Sequence, residues 1–400
     1  MTQPRIGVWL IGARGGVAST TILGLTALRK GLLGEVGLIS GLPPFHHLEP
    51  ADWGSFLIGG HEIREVSLAE EVLRLATESR SFAPALVDQC REDLDAIDAR
   101  IRPGTVYQVG STITRFAGKS VPTEETPRAA VERLQADLEA FITNNHLDHL
   151  IVVNVASTEP PVDAETLPRH WANLETLLDD PEACPLPAST LYAIAALDGG
   201  HSYVNFTPSL GSAPEAIDEL AHLRGTRHMG CDGKTGETLM KSTLAPMFAQ
   251  RNLQVMSWVG HNIFGNLDGK VLDDPANKKT KVTSKDRLLG KIFGYQPQTL
   301  VSIEYIESLG DWKTAWDHIH FTGFLGTPMT LQFIWQGCDS LLAAPLVVDL
   351  VRFADIARRR GHTGRMTFLA SFFKSPYGVE EHGFIRQFQM LERWAAGEDI

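Results

Sequence analysis

Ile6-Gly7-Val8-Trp9-Leu10-Ile11 runs directly into Gly12-Ala13-Arg14-Gly15-Gly16-Val17-Ala18-Ser19-Thr20. The first six residues form a short apolar run, as in a strand buried on both faces of a parallel sheet. Beyond the small residues, Ile22, Leu23, Leu25, Leu28, Leu32 and Leu33 make a helical stripe. Strand, glycine turn and helix together give the glycines meaning. Backbone without side chains lets a pyrophosphate approach, and the helix N-terminus offers free N–H groups. In G-x-G-x-x-G register from Gly12, Arg14 and Val17 stand at the second and third glycine positions, so G-x-x-G-G-x-A describes the stretch better. Spacing alone leaves two readings open, dinucleotide binding or a plain tight strand–helix turn.

Working outward, the pattern predicts a second strand over Val36 to Ile39, ending in Ser40-Gly41. No acid stands there to hold a ribose hydroxyl; Glu49 and Asp52 follow in a loop. A helical stretch is expected from about Leu68 to Ala99, then a strand over Thr105 to Val109 ending in Gly110-Ser111-Thr112. A helix over Pro127 to Asn144 leads to a strand from His149 that runs into Ala156-Ser157-Thr158. This β-α-β-α-β rhythm predicts an α/β fold with a doubly wound parallel sheet, whose ligands sit at the carboxyl ends of strands. Three such ends carry small or hydroxyl residues, which favours the nucleotide reading. Ser189 to Ala196 reads as a helix and Tyr203 to Phe206 as a strand. From about Met240 the rhythm is lost. Met256 to Val259, Val301 to Tyr305 and Phe333 to Trp335 predict a second, mixed sheet. Leu341 to Ala354 and Thr367 to Phe373 are expected as helices that return to the first domain.

The 400 residues suffice for two to three domains, and 43% apolar with 21% charged residues is a globular composition. Thirty-six basic against 48 acidic side chains leave a net charge of −12. No general attraction to nucleic acid or an anionic membrane follows, and an anionic substrate requires a local concentration of positive charge. Cys90, Cys184, Cys231 and Cys338 are scattered without a CxxC pair, which excludes a zinc ribbon or disulfide scaffold and fits a reduced, cytoplasmic setting. No stretch reaches the ~18 apolar residues of a membrane helix, and the short N-terminal run reads as a strand rather than a signal peptide.

Three segments carry chemistry. Gly230-Cys231-Asp232-Gly233-Lys234-Thr235-Gly236-Glu237-Thr238 opens a helix expected over Leu239 to Phe248. It lacks Walker A spacing. It either cradles a phosphate or is simply a helix start capped by Thr235 or Thr238. His261 to Gly269 is dense in amides and turn formers and reads as a loop after a strand. In Lys278 to Lys285, Lys281 and Lys285 are four apart; on a helix their repulsion costs a few tenths of a kcal/mol, which an anion would offset. The alternative is a solvated charge run. Lys313 and Lys374 are isolated lysines in apolar or aromatic surroundings, where partial burial would depress the pKa and suit proton transfer. Asp339 heads an apolar helix, as a functional carboxylate or an N-cap. No H-E-x-x-H or G-x-S-x-G motif occurs, and the pair His318 and His320 does not make a metal site.

Taken together and in order, these segments resemble the myo-inositol-1-phosphate synthase (inositol-3-phosphate synthase) family over nearly the whole chain, in its shorter prokaryotic form. Gly12 to Thr20 resembles its glycine loop G-x-G-G-x-x-G-S-T, with Arg14 and Ala18 replacing glycines. Val155-Ala156-Ser157-Thr158-Glu159 resembles its T-A-N-T-E segment, and Ser189 to Ala195 its S-T-L-x-A-I-A helix. Asp232 with Thr235 to Thr238 is similar to D-x-x-S-G-Q-T, and Ser257 to Gly269 to S-Y-N-H-L-G-N-N-D-G. Lys281-Val282-Thr283-Ser284-Lys285 is similar to K-x-x-S-K, and Lys313, Asp339 and Lys374 fall where the family has lysine, aspartate and lysine. Asn154, Glu237 and Leu267 depart from it, replacing an aromatic residue, a glutamine and an asparagine. These departures leave the substrate open.

The resemblance implies a Rossmann-like domain at 1–238 and 339–400 with an inserted α+β catalytic and oligomerisation domain at 239–338. It implies an NAD-dependent, redox-neutral cyclisation of D-glucose 6-phosphate to 1D-myo-inositol 3-phosphate. The sugar is oxidised at C5, enolised through loss of a C6 proton (to the substrate's own phosphate), closed on C1 and re-reduced. The implied catalytic residues are Lys281, Lys285, Lys313, Lys374, Asp232, Asp268 and Asp339. NAD would be held by Gly12, Ala13, Arg14, Gly15, Gly16, Val17, Ser111, Val155, Ala156, Ser157, Thr158, Asp232, Asp339 and Ser340. Substrate would be held by Thr235, Gly236, Glu237, Thr238, Asn262, Asn266 and the four lysines. A homotetramer is implied, as is a monovalent or divalent cation beside NAD; no metal ligands are assigned. The competing expectations are an NAD-dependent sugar-phosphate dehydrogenase, a family member making another cyclitol phosphate, and a nucleotide-sensing protein that retains the fold.

Overall fold

The computed structural model describes residues 4–266, Gly269 and residues 288–398. Its first sheet contains β1 (Ile6–Ile11), β2 (Phe56–Glu62), β3 (Ile101–Pro103), β4 (His149–Asn154), β5 (Ser202–Asn205), β6 (Arg227–Gly230) and β11 (Gly364–Arg365). The spatial order is β11-β6-β5-β4-β1-β2-β3, and every pairing is parallel. The order 3-2-1-4-5-6 within it is that of a dinucleotide-binding sheet. All of β1 is buried, and alternate residues serve two layers. Ile6, Val8 and Leu10 pack with Ile22 and Leu25 of the Gly16–Arg29 helix and Val347 and Val351 of the Asp339–Arg359 helix. Trp9 and Ile11 pack with Leu134 of the Pro127–Asn145 helix and Leu191 of the Ala188–Asp198 helix. That two-sided burial is why the first strand reads as an unbroken apolar run.

The second sheet is mixed, in the order β10-β9-β7-β8. Its strands are β7 (Gln254–Phe264), β8 (Gln298–Tyr305), β9 (Trp312–Thr322) and β10 (Pro328–Cys338). The Gly236–Gln250 helix packs Ala245 and Phe248 on Trp258 and Ile319 of this sheet.

Several local expectations are corrected. Val36 to Ile39 is not a strand: Val36 is fully exposed and Gly37 has a φ of +92°. The second strand is β2, which ends on an acid, Glu62. Thr105 to Val109 is irregular; the strand lies earlier, at β3, and Tyr192 Oη takes the Thr105 N–H that a ladder would have used. The stretch from Leu68 to Ala99 is two helices, Leu68–Ser79 and Pro84–Asp98, parted where Arg80 enters the left-handed region and Pro84 starts a new helix. Thr367 to Phe373 is a short 3-10 turn, Thr367–Phe372. His261 to Phe264 complete β7 instead of lying in a loop.

Candidate active site

β1 lies between β2 and β4, so the connections leaving β1 and β4 diverge and open a crevice above their carboxyl ends. Gly12 forms its floor. Its φ is +79°, and a Cβ there would lie 2.8 Å from the Ala156 Cα. Gly12 N and Ala13 N donate to the His61 carbonyl at 2.9 and 3.0 Å, and Gly15 N donates back to Gly12 O at 2.8 Å, closing the turn. The Gly16–Arg29 helix has Gly15 as N-cap, with no side-chain cap and no acid in its first turn. Its leading N–H groups therefore have no capping side chain across them. Ser340 Oγ sits 2.5 Å from where a Gly16 Cβ would be, so the loop and the Asp339–Arg359 helix meet. Val155 N continues the ladder onto Ile11 O at 3.1 Å, and Ala156 N is held by Asn154 Oδ1 at 3.2 Å. These features fit a bound dinucleotide: a turn whose glycines leave the backbone bare beside an uncapped helix start.

Glu62, which reasoning from sequence missed because it misplaced the second strand, stands beside this loop. Its Oε2 accepts from Arg14 N at 2.8 Å, and its Oε1 accepts from Ile63 N and Arg64 N at 2.8 and 3.0 Å. An acid at the end of the second strand is the usual ribose-hydroxyl ligand of such sheets. The signal was present in Phe56-Leu57-Ile58-Gly59-Gly60-His61-Glu62, an apolar run ending in a carboxylate. Arg14 itself turns outward to Asp98, with Nε 2.7 Å from Oδ1. Val17 packs on the core rather than facing the turn. Ser111 heads the Ser111–Thr114 turn after β3 and is exposed, and Thr158 is buried after β4.

Asp232 and Lys374 are 142 positions apart and are joined by backbone pairing. Cys231 N and Ser375 N exchange bonds with each other's carbonyls, Lys374 N donates to Asp232 O at 2.7 Å, and Lys234 N donates to Phe372 O at 2.8 Å. The Lys374 Nζ then reaches Asp232 Oδ1 at 2.8 Å. The β9–β10 register sets Lys313 opposite Gly337, which brings its Nζ 3.4 Å from Asp339 Oδ1 and 5.0 Å from the Phe264 ring centre. Asp339 is the first residue of its helix; Cys338 occupies the N-cap position. Asp311, a second missed residue, ties this corner together. It accepts from Ser340 N at 2.9 Å, Ser340 Oγ at 3.0 Å and Asn266 Nδ2 at 3.2 Å. Burial raises its carboxyl above the ordinary range.

One cavity collects the two lysines. Thr235, Glu237, Thr238, Asn262, Phe264, Ile303, Lys313 and Lys374 line it. Thr235 is the N-cap of the Gly236–Gln250 helix, but its side chain makes no capping bond. Two of the four lysines therefore converge, next to the phosphate-type helix start. Lys281, Lys285 and Asp268 lie outside the described residues. His318 and His320 share a face of β9, and no cluster of three or more metal-ligating side chains occurs among the described residues.

A family model described as myo-inositol-1-phosphate synthase matches residues 39–395. The chain belongs to the myo-inositol-1-phosphate synthase family. An inositol-3-phosphate synthase 1 of Bacteroides thetaiotaomicron is 32% identical over 97% of this chain and 94% of that protein. One of Oryza sativa is 27% identical over 90% of this chain and 76% of its own. Among solved structures, a myo-inositol-1-phosphate synthase-related protein of Thermotoga maritima superposes with a TM-score of 0.79, at 26% identity, covering 99% of this chain and 100% of that one. The Caenorhabditis elegans inositol-3-phosphate synthase shares the fold, with a TM-score of 0.86 at 22% identity over 98% of this chain and 86% of that one.

The family's T-A-N-T-E segment corresponds here to a stretch closing on a buried acid. Glu159 accepts from Ser189 N at 2.8 Å and from Ser189 Oγ, while its own N–H donates to Ser209 Oγ at 3.0 Å. Burial outweighs these bonds and pushes its carboxyl up from 4.5 to about 7. Between those values the folded chain holds a proton that the unfolded chain has lost, so stability falls as pH rises across that window. Glu159→Gln is expected to flatten this fall, as read from urea unfolding free energies at several pH values within it.

Proposed function

We propose that this chain is an inositol-3-phosphate synthase that cyclises D-glucose 6-phosphate to 1D-myo-inositol 3-phosphate without net redox. The observation that carries the reading is the meeting of Lys313 and Lys374 in one cavity with the Thr235–Thr238 helix start, beside a dinucleotide crevice joined to it through Asp339 and Ser340. NAD, when bound, supplies reversible hydride transfer at C5. The N–H groups of Gly236, Glu237 and Thr238 hold the phosphate. Lys374, with Lys281, holds and moves the proton at O5, where negative charge develops, and an ammonium group there stabilises the oxyanion. Lys313 and Lys285 attract the phosphate and O1. Asp232 and Asp339, 2.8 and 3.4 Å from their lysines, keep each amine aimed and compensate its charge; Asp268 has the same role in this reading. Ordering of the reactants in one site supplies much of the ring-closure rate.

The reading divides the chain at 238 and 339, places it in a reducing cytoplasmic compartment, and makes it a homotetramer. Its four cysteines are all free thiols, and no described helix is long and apolar enough to cross a membrane. Among the described residues β10 is an open edge strand. Ile334 on it is 70% exposed beside Trp316 of β9, and Phe324 in the connecting turn is 89% exposed. Long apolar edges of this kind are normally covered. Ile334→Asp is expected to lower the oligomer mass measured by light scattering while leaving the far-ultraviolet circular dichroism unchanged.

The deciding assay incubates the protein with glucose 6-phosphate and NAD. Inositol phosphate identified by NMR, with no accumulation of reduced nicotinamide, is expected. Steady accumulation of reduced nicotinamide would instead establish a dehydrogenase.

A further inference from the structure

Where the family's phosphate loop has glutamine, this chain has Glu237, and the structure shows what that carboxylate does to its neighbours. Lys241, one helical turn on, places Nζ 2.6 Å from Glu237 Oε1. Asn262 Nδ2 donates to Glu237 Oε2 at 2.7 Å. Lys241 also lies 3.9 Å from Asp317 Oδ1, which accepts from Trp258 Nε1 at 2.6 Å. All four polar residues are 3% exposed or less. Glu237 and Asn262 line the cavity that also holds Lys313 and Lys374.

A carboxylate accepts hydrogen bonds and cannot donate them. Asn262 must therefore aim its NH2 at Glu237, since an oxygen there would face an oxygen. Its Oδ1 is left buried with no partner among the described residues. A buried acceptor of this kind is satisfied by a ligand that donates. A phosphate dianion only accepts, whereas sugar hydroxyls donate. We infer that Glu237, compensated by Lys241, sets the donor–acceptor polarity of Asn262, so that this wall of the cavity takes the hydroxyl-bearing part of the substrate. The phosphate then lies against the ammonium groups and the loop N–H groups. Lys241 is a positioning residue here, acting through Glu237. The inference rests on the sugar-phosphate reading above and assigns which end of the ligand meets which wall.

Glu237→Gln reverses the polarity. Lys241 claims the amide oxygen, the new NH2 faces Asn262, Asn262 turns its Oδ1 to accept, and its NH2 then faces the cavity. Calorimetric titration of the NAD-saturated protein with inorganic phosphate and with glucitol 6-phosphate, which cannot cyclise, reads this directly. The quantity of interest is the factor by which the polyol phosphate binds more tightly than phosphate. Glu237→Gln is expected to cut that factor about tenfold, with phosphate itself bound equally or more tightly. Asn262→Ala is expected to cut it by a similar amount with phosphate binding unchanged, and serves if the first variant does not fold. A tenfold loss of phosphate affinity at constant factor would overturn the inference, because the wall would then hold phosphate. Unchanged affinity for both ligands would overturn it too, because the wall would touch neither. If the wild-type protein binds neither ligand, the sugar-phosphate reading itself falls, and that result is distinct from either variant's failure.

Discussion

Lys374→Ala is expected to lower kcat by on the order of 10³ while NAD affinity stays within about twofold. The amine is one of the groups placed where charge develops, and loss of a single such donor from a closed site costs about 10² to 10³ in rate, with a further contribution when the group also moves a proton. The substitution also strands Asp232, a largely buried carboxylate whose Oδ1 lies 2.8 Å from the lost ammonium. About 2 kcal/mol of stability should go with it. Lys374→Arg separates the two contributions. It keeps the charge near Asp232 and restores stability, but a guanidinium does not exchange protons near neutral pH, so turnover stays low. The measurements are single-turnover kinetics, fluorescence titration of NAD and urea unfolding. Retention of more than about a tenth of wild-type turnover in the alanine variant would remove Lys374 from the mechanism.

The second large effect lies in the glycine turn. Gly12→Val meets two obstacles at once. The φ of +79° is strained for any residue with a Cβ, and that Cβ would lie 2.8 Å from the Ala156 Cα and 3.2 Å from its backbone nitrogen. The Ala156 backbone directly follows β4 and is tied there by Val155 N to Ile11 O and Ala156 N to Asn154 Oδ1, so it cannot readily step aside. Strain and overpacking together should cost about 4 kcal/mol, and NAD binding should weaken at least ~100-fold, since the crevice floor is displaced. Gly24→Ala, in the helix that follows, is the control. A Cβ there meets nothing within 4 Å, and its φ is not in the left-handed region. It should gain about 0.5–1 kcal/mol of stability and leave NAD binding untouched. Thermal melts and NAD titration of the two variants check both expectations.

Much of the fold was legible because burial leaves a simple trace. A strand covered on both faces must be apolar along its centre, and β1 and Leu150 to Val153 of β4 read that way. The Pro127–Asn145 and Ala188–Asp198 helices were legible through their periodic or continuous apolar content. The second strand was misread because Val36 to Ile39 has the composition of a strand, yet Val36 faces water, Gly37 turns the chain and only Leu38 and Ile39 pack on the core, while β2 is interrupted by two glycines. Those glycines are forced: a Cβ on Gly60 would lie 2.4 Å from the Leu10 carbonyl oxygen. Close packing, invisible along the chain, thus removed the β-branched residues that mark a strand. Reading the wrong strand also hid Glu62.

The chain alone, read by local chemistry and by the order of its motifs, determined the βαβ rhythm, the glycine turn, a helix start at Thr235 or Thr238 and the family to which these belong. Each depends on neighbours within a few positions, where propensity, periodicity and spacing act directly. Tertiary structure decided which charges meet. Asp232 finds Lys374 only because two distant segments pair by backbone bonds, and Lys313 finds Asp339 only through the β9–β10 register. Electrostatic partnership falls off with distance in space and takes no account of separation along the chain, so no spacing rule could have announced it.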